Sequence, residues 1–328
     1  MCTKEDFKLG EVIASFETNS FEVFTDLMHD ALTRMLNVYK ADPEGTKLID
    51  QIENDWHLFS SPESAGSVLM SILTKEDFED AGFELDSTVS YCDDINGVRT
   101  AWNDLKKTIK TRTRFNIDIS SLTASGWGNF LTEAKDTIDS NTDVQFYRAR
   151  LHRKLGESFT TEQMGPPTPE LSRAGRANPD GIVYLYLSDR QDTTLYEVRA
   201  TYLDQATVGE FFIKDGKKLT YMDFTKEDVE TSFLDNDLAE VMKVRTLIKA
   251  ISQDLSKPMR SFEPSVEYVP TQFICEYVRD TYHVDGIRFR TSVGKQGSNF
   301  VIFDPSLFEC RKVKDVEVND LTLQCQTL

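Results

Sequence analysis

An arginine inside a short apolar, aromatic segment must find an anionic partner or remain poorly solvated. The segment FYRAR holds two such residues, Arg148 and Arg150, on one strand face. A guanidinium stays charged and grips phosphate oxygens through parallel N–H bonds, so holding a phosphate is the chemistry these residues suit. Structural salt bridges to some of the chain's many acids would satisfy them equally. Arg176 lies among Gly175, Gly181 and Asn178-Pro179. That is the composition of a tight loop whose backbone approaches a ligand, or of a plain β-turn. By residue type alone Glu197 reads as a surface carboxylate paired with Arg199, Tyr184 and Tyr186 as core aromatics on one strand face, and Ser292 as a turn residue.

Other chemistries are excluded by what is missing. The five cysteines (Cys2, Cys92, Cys275, Cys310 and Cys325) are odd in number and form no CxxC, and the four histidines form no HxxxH or HExxH pair. This predicts reduced thiols and no metal site. Without GxGxxG after a strand, GxxxxGK[ST] or GxSxG, a Rossmann dehydrogenase, a kinase and an α/β-hydrolase are set aside. The formal net charge of −18, from 55 acids against 37 bases, disfavours nucleic acid as a partner. No apolar run nears the roughly 20 residues of a bilayer span, and MCTKEDFKLGEV lacks the pattern of a signal peptide. The expectation is a cytoplasmic protein with no membrane partner.

The elements that must position the arginines change character along the chain. At 328 residues two domains are expected. Phe21, Phe24, Leu27, Met28, Ala31, Leu32, Met35 and Tyr39 recur at helical spacing behind Ser20 as N-cap. Further helices are predicted through Leu48–Phe59, Val68–Leu73, Val98–Ile109 and Asn129–Ile138, with the basic run Lys106 to Arg114 as a solvated helix face. Residues 1–140 thus read as an all-helical bundle, and Asp139–Asp143 as the linker. Beyond it the pattern turns to strands: 144–152, 182–188, 207–213, 219–224, 286–290 and 299–303. Two helices interrupt them, one through Leu238–Ile251 and one starting at Pro270. Strands outnumber crossover helices, so the prediction is α+β with a mostly antiparallel sheet over residues 144–328.

Taken in order, FYRAR (146–150), AGRANPDGIVYLYLS (174–188), TTLYEVR (193–199), YVPTQFICEYV (268–278), DGIRFRTS (285–292) and NFVIFDP (299–305) resemble the RES domain family, named for its Arg, Glu and Ser positions. The resemblance covers about residues 144–305. It implies an ADP-ribosyltransferase-like fold and an enzyme that takes NAD as substrate, with no prosthetic group. Family members are toxins of bacterial toxin–antitoxin pairs, which implies an antitoxin or regulatory partner, or a role in bacterial defence.

On this resemblance Glu197, Arg176 and Tyr186 are the catalytic candidates. Arg148 or Arg150, Tyr184, and Thr291 or Ser292 are the substrate-binding ones. Nicotinamide–ribose cleavage by water or phosphate is the first expectation. Mono-ADP-ribosyl transfer to a protein and a non-enzymatic nucleotide-sensing or docking module are the alternatives, and a homo-oligomer stays open. The helical half resembles HEPN-type domains that precede some RES domains. It carries no Arg-to-His pair at the nuclease spacing, so docking, sensing or inhibition is expected of it.

Overall fold

The helical spacing around Met28, Leu32 and Met35 is realised as α1 (Thr18–Leu36) in a computed structural model that describes residues 18–58, 62–120, 128, 131–132, 134–226, 237–257, 265–291 and 297–320. Ser20, expected as the N-cap, lies inside this helix, which already includes Thr18. The chain divides into two compact units, 1–101 with 124–126 and 228–246, and 102–123 with 127–227 and 247–328. The architecture is α+β with a mostly antiparallel sheet, as the period change predicts. Among the described residues no helix is long and apolar enough to cross a membrane.

In the first unit, α1 buries Met28, Leu32, Met35 and Leu36 against Leu48 and Ile52 of α2 (Leu48–Trp56), Leu69 of α3 (Pro62–Ile72) and Phe78 of α4 (Lys75–Ala81). Ile95 of α5 (Asp93–Thr111) joins them. The unit is not wholly helical: β1 (Tyr39–Lys47) pairs antiparallel with β2 (Thr88–Tyr91). Asp42-Pro43-Glu44-Gly45 has turn composition, yet Ala41 and Thr46 both pair with Val89, so these four residues form a bulge inside a strand. Gly45 is required there, because a Cβ would lie 2.3 Å from the Val89 carbonyl oxygen.

The second unit is an eight-stranded sheet in the order β10-β6-β4-β5-β9-β8-β7-β3. Its strands are β3 (Lys135–Asp139), β4 (Phe146–Leu151), β5 (Leu185–Ser188), β6 (Gln205–Ile213), β7 (Lys218–Asp223), β8 (Gly286–Arg290), β9 (Ser298–Ile302) and β10 (Phe308–Glu317). Among the described residues only β7 and β8 run parallel. Phe146 packs edge-to-face on Phe300 and Phe308, with centroids 5.0 and 5.3 Å away, at the centre of a core shared by Leu185, Leu187, Phe211 and Ile302. The described residues of this unit also form helices α6 (Gln191–Glu197) and α8 (Val269–Tyr282), with Pro270 in the first turn of α8 as predicted, and the part of α7 (Leu238–Ser256) from residue 247 on.

Two readings are corrected at the sheet edges. Residues 135–138, expected to end a helix, form strand β3 with Asp139 against β7. Strand β10, unread in the sequence, pairs with β6 across its whole length. Both edges are rich in charge and mostly exposed, so neither shows the apolar alternation of a half-buried strand.

Candidate functional site

Along β5 the side chains alternate. Leu185 and Leu187 enter the core, while Tyr186 and Ser188 line a cavity of about 430 Å³. That volume suits a drug- or nucleotide-sized ligand. The cavity is closed by Arg148 of β4, Arg176, the end of α6 with Thr194 and Glu197, and Asn299 of β9. Helix α6 follows β5 after only two residues, and its last residue is Glu197, so the turn-and-helix spacing delivers the carboxylate beside the Tyr186 strand.

The carboxylate is held on one side. Glu197 Oε1 accepts from Asn299 Nδ2 at 2.6 Å and from Thr291 Oγ1 at 3.0 Å, while no described group bonds Oε2. Asn299 is itself fixed, its Oδ1 accepting from the buried Ser188 hydroxyl at 2.7 Å. The chain Ser188–Asn299–Glu197 ties adjacent strands β5 and β9 to the end of α6, so the anion's position is set by the sheet.

Arg148 is the electrostatic opposite. Its Nη1 is buried with no hydrogen-bond partner, and burial, aided by the charge of Arg150, pushes its pKa down to about 10. A desolvated, unpaired guanidinium is costly unless an anion completes it. The Thr194 hydroxyl, also on the cavity wall, is likewise buried without a partner.

The Arg176 loop is built from its own backbone and two helices. Gly175 N–H donates to the Asn178 carbonyl, and Gln272 Nε2 of α8 donates to the carbonyls of both Gly175 and Asn178. Thr271 Oγ1 donates to the Arg176 carbonyl at 2.6 Å, and Arg176 Nη1 to that of Leu255 in α7 at 2.9 Å. Tyr186 locks the loop from the sheet side, its hydroxyl donating to Asn178 Oδ1 at 2.6 Å and accepting from Ala177 N–H at 3.2 Å. Burial raises its phenol pKa well above the ordinary value. A Cβ at Gly175 would lie 2.7 Å from that hydroxyl and 2.8 Å from Asn178 Oδ1, so glycine is needed for close approach.

Of the residues singled out by the sequence, Arg148, Arg176, Tyr186 and Glu197 share this cavity, and Thr291 reaches it through Glu197. Two do not line it. Arg150 donates to the Gly165 carbonyl at 2.6 Å and lies over the Phe159 ring. Tyr184 accepts from Arg279 Nη1 at 2.8 Å and packs on Phe303, and burial pushes its pKa up to about 12. Ser292 lies outside the described residues.

Sequence reasoning missed Asn299, Ser188, Thr194 and Tyr268. The one signal for Asn299 is a buried amide opening an otherwise apolar strand, which demands partners. Among the described residues no three of His, Cys, Asp and Glu converge as metal ligands.

A family model for the RES domain matches residues 145–324. Among solved structures the chain is similar to a crystal structure of the M. tuberculosis MbcT–MbcA toxin–antitoxin complex. Identity is 14% and the TM-score 0.32, over 58% of this chain and 92% of that one. No curated protein matches the chain.

Proposed function

The chain belongs to the RES domain family, and on that premise we propose that it consumes NAD by cleaving the nicotinamide–ribose bond. The observation that carries the reading is the pairing, on one cavity wall, of an anchored carboxylate at Glu197 with a buried, unpartnered guanidinium at Arg148. Cleavage sends the electron pair of the C1′–N bond to the nicotinamide ring, which leaves neutral, and positive charge grows on the ribose. An anion beside that sugar stabilises the transition state more than the ground state.

Glu197 suits this role because Asn299 and Thr291 fix Oε1 and leave Oε2 for the ribose. Water then adds at C1′ and loses its proton to Glu197. Arg148 and Arg176 hold the diphosphate, whose charge completes the desolvated guanidinium. Tyr186 spends its hydroxyl on the Arg176 loop, so its contribution is the ring face, stacked on nicotinamide. In the cell we assign the chain a toxin or defence role, restrained by an antitoxin or regulatory protein.

The test is a time course of NAD and nicotinamide by HPLC for the wild type and Glu197→Gln. The variant keeps the hydrogen bonds to Oε1 and loses the charge, so turnover should fall by about 10²–10³ with the melting temperature retained. Wild-type protein that leaves NAD intact, with and without phosphate, would sink the reading.

A further inference from the structure

Arg176 and Tyr268 line a second cavity as well, of about 110 Å³, a quarter of the size of the first. Its wall adds Lys106 and Lys110 of α5, Lys257, Asp254 and Glu267. Lys106 and Lys110 of the basic stretch are therefore partly buried in ion pairs, which corrects the sequence reading at those two positions, while Lys107, Arg112 and Arg114 are exposed as expected of a solvated face. Lys106 Nζ meets Asp254 Oδ2 and Lys110 Nζ meets Glu267 Oε2, both at 2.6 Å, with all four side chains mostly buried.

Four cations face two carboxylates in a chain of net charge −18. Each carboxylate is matched by one lysine, which leaves the charges of Arg176 and Lys257 over. Asp254 is held in place by Trp102 Nε1, which donates to the same oxygen at 2.7 Å. An ammonium has three donors, so Lys106 and Lys110 keep N–H bonds to offer after meeting their acids. The balance of charge and donors selects a compact oxyanion, and the volume admits one such group and no nucleoside.

We propose that this cavity is a phosphate subsite, joined through Arg176 to the substrate cavity and supplied in part by residues ahead of the family domain. Lys106 and Lys110 lie outside the matched span 145–324. The subsite's use in turnover rests on the NAD-consuming reading; its binding of an anion does not. Two sources share the chemistry: inorganic phosphate, and an extra phosphate on the dinucleotide such as the 2′-phosphorylated form of NAD.

The experiment titrates inorganic phosphate into the full chain at low ionic strength by calorimetry, for wild type, Lys257→Ala, Lys110→Gln and Glu197→Gln. Lys257 is exposed, so its variant tests the site without disturbing the fold. Each lysine variant should weaken phosphate binding about tenfold, and Glu197→Gln should leave it unchanged.

Turnover then identifies the source. Lys110→Gln lowers kcat/KM about tenfold for the 2′-phosphorylated dinucleotide alone if that phosphate is the occupant, or removes stimulation of NAD consumption by phosphate if the free ion is. Phosphate binding that is absent, or that survives both lysine substitutions, overturns the proposal. Binding that depends on the lysines in a protein that never consumes NAD upholds the subsite and sinks the catalytic reading instead.

Discussion

Replacing Arg148 with methionine should make the ligand-free protein more stable while removing its grip on the diphosphate. Burial holds the guanidinium down at about 10, well below the ordinary arginine value, and Nη1 has no partner. At about 1.4 kcal/mol per tenfold change in proton affinity, the charged form carries a penalty on the order of 3 kcal/mol. Methionine has a similar reach and no charge, and some of the gain is lost to imperfect packing. A net stabilisation of about 1–2 kcal/mol follows, or a melting temperature higher by roughly 2–6 °C for a unit of this size.

The pH dependence follows from the sign. A base whose folded pKa lies below its unfolded value is disfavoured at every pH under the folded one, and relief begins only as pH rises through about 10. The stability gap between variant and wild type should therefore be flat from about pH 6 to 9. The assay is differential scanning calorimetry with and without pyrophosphate: wild type gains more stability from the anion than Arg148→Met, which keeps only the contribution of the other cations. A variant that melts below wild type without ligand would mean that Arg148 is a satisfied structural residue. The reasoning about the cavity would then fail with it.

Asn299→Asp puts a carboxylate where an amide now donates to Glu197 at 2.6 Å. The like charges raise one carboxyl pKa above its unfolded value near ~4, so the variant's deficit in melting temperature grows as pH rises from about 4 to 7; a pH-independent deficit would contradict the contact. Gly175→Ala drives a methyl to 2.7 Å from the Tyr186 hydroxyl, costing about 1–3 kcal/mol and displacing the Arg176 loop. The expected readout is a raised KM for NAD with a lowered melting temperature, and unchanged values of both would refute the close approach.

Helix positions were legible where apolar spacing was strong, as in α1, α2 and α5, because burial of one face dictates the period. The central strands β4 to β9 were legible for the same reason. Strands β1, β2, β3 and β10 were not: their stability comes from ladder partners distant in sequence, and exposed or bulged strands need no apolar alternation. Within the site, residue type marked Arg148 as a charge in want of a partner, and glycine marked the Arg176 loop. No local signal linked Asn299 to Glu197, which lie 102 positions apart.

The choice among alternatives was likewise a matter of three dimensions. Arg148 and Arg150 share a strand face, yet Arg148 lines the cavity with Nη1 unbonded, whereas Arg150 turns Nη2 to the Gly165 carbonyl. Tyr186 secures a loop, whereas Tyr184 meets an arginine of α8. The order of residue types along the chain sufficed for family, fold class and the identity of the charged groups, since those depend on composition and period. Which arginine lines the cavity, which oxygen of the carboxylate is anchored, and which lysines gather beside Arg176 depend on partners that only folding brings within reach.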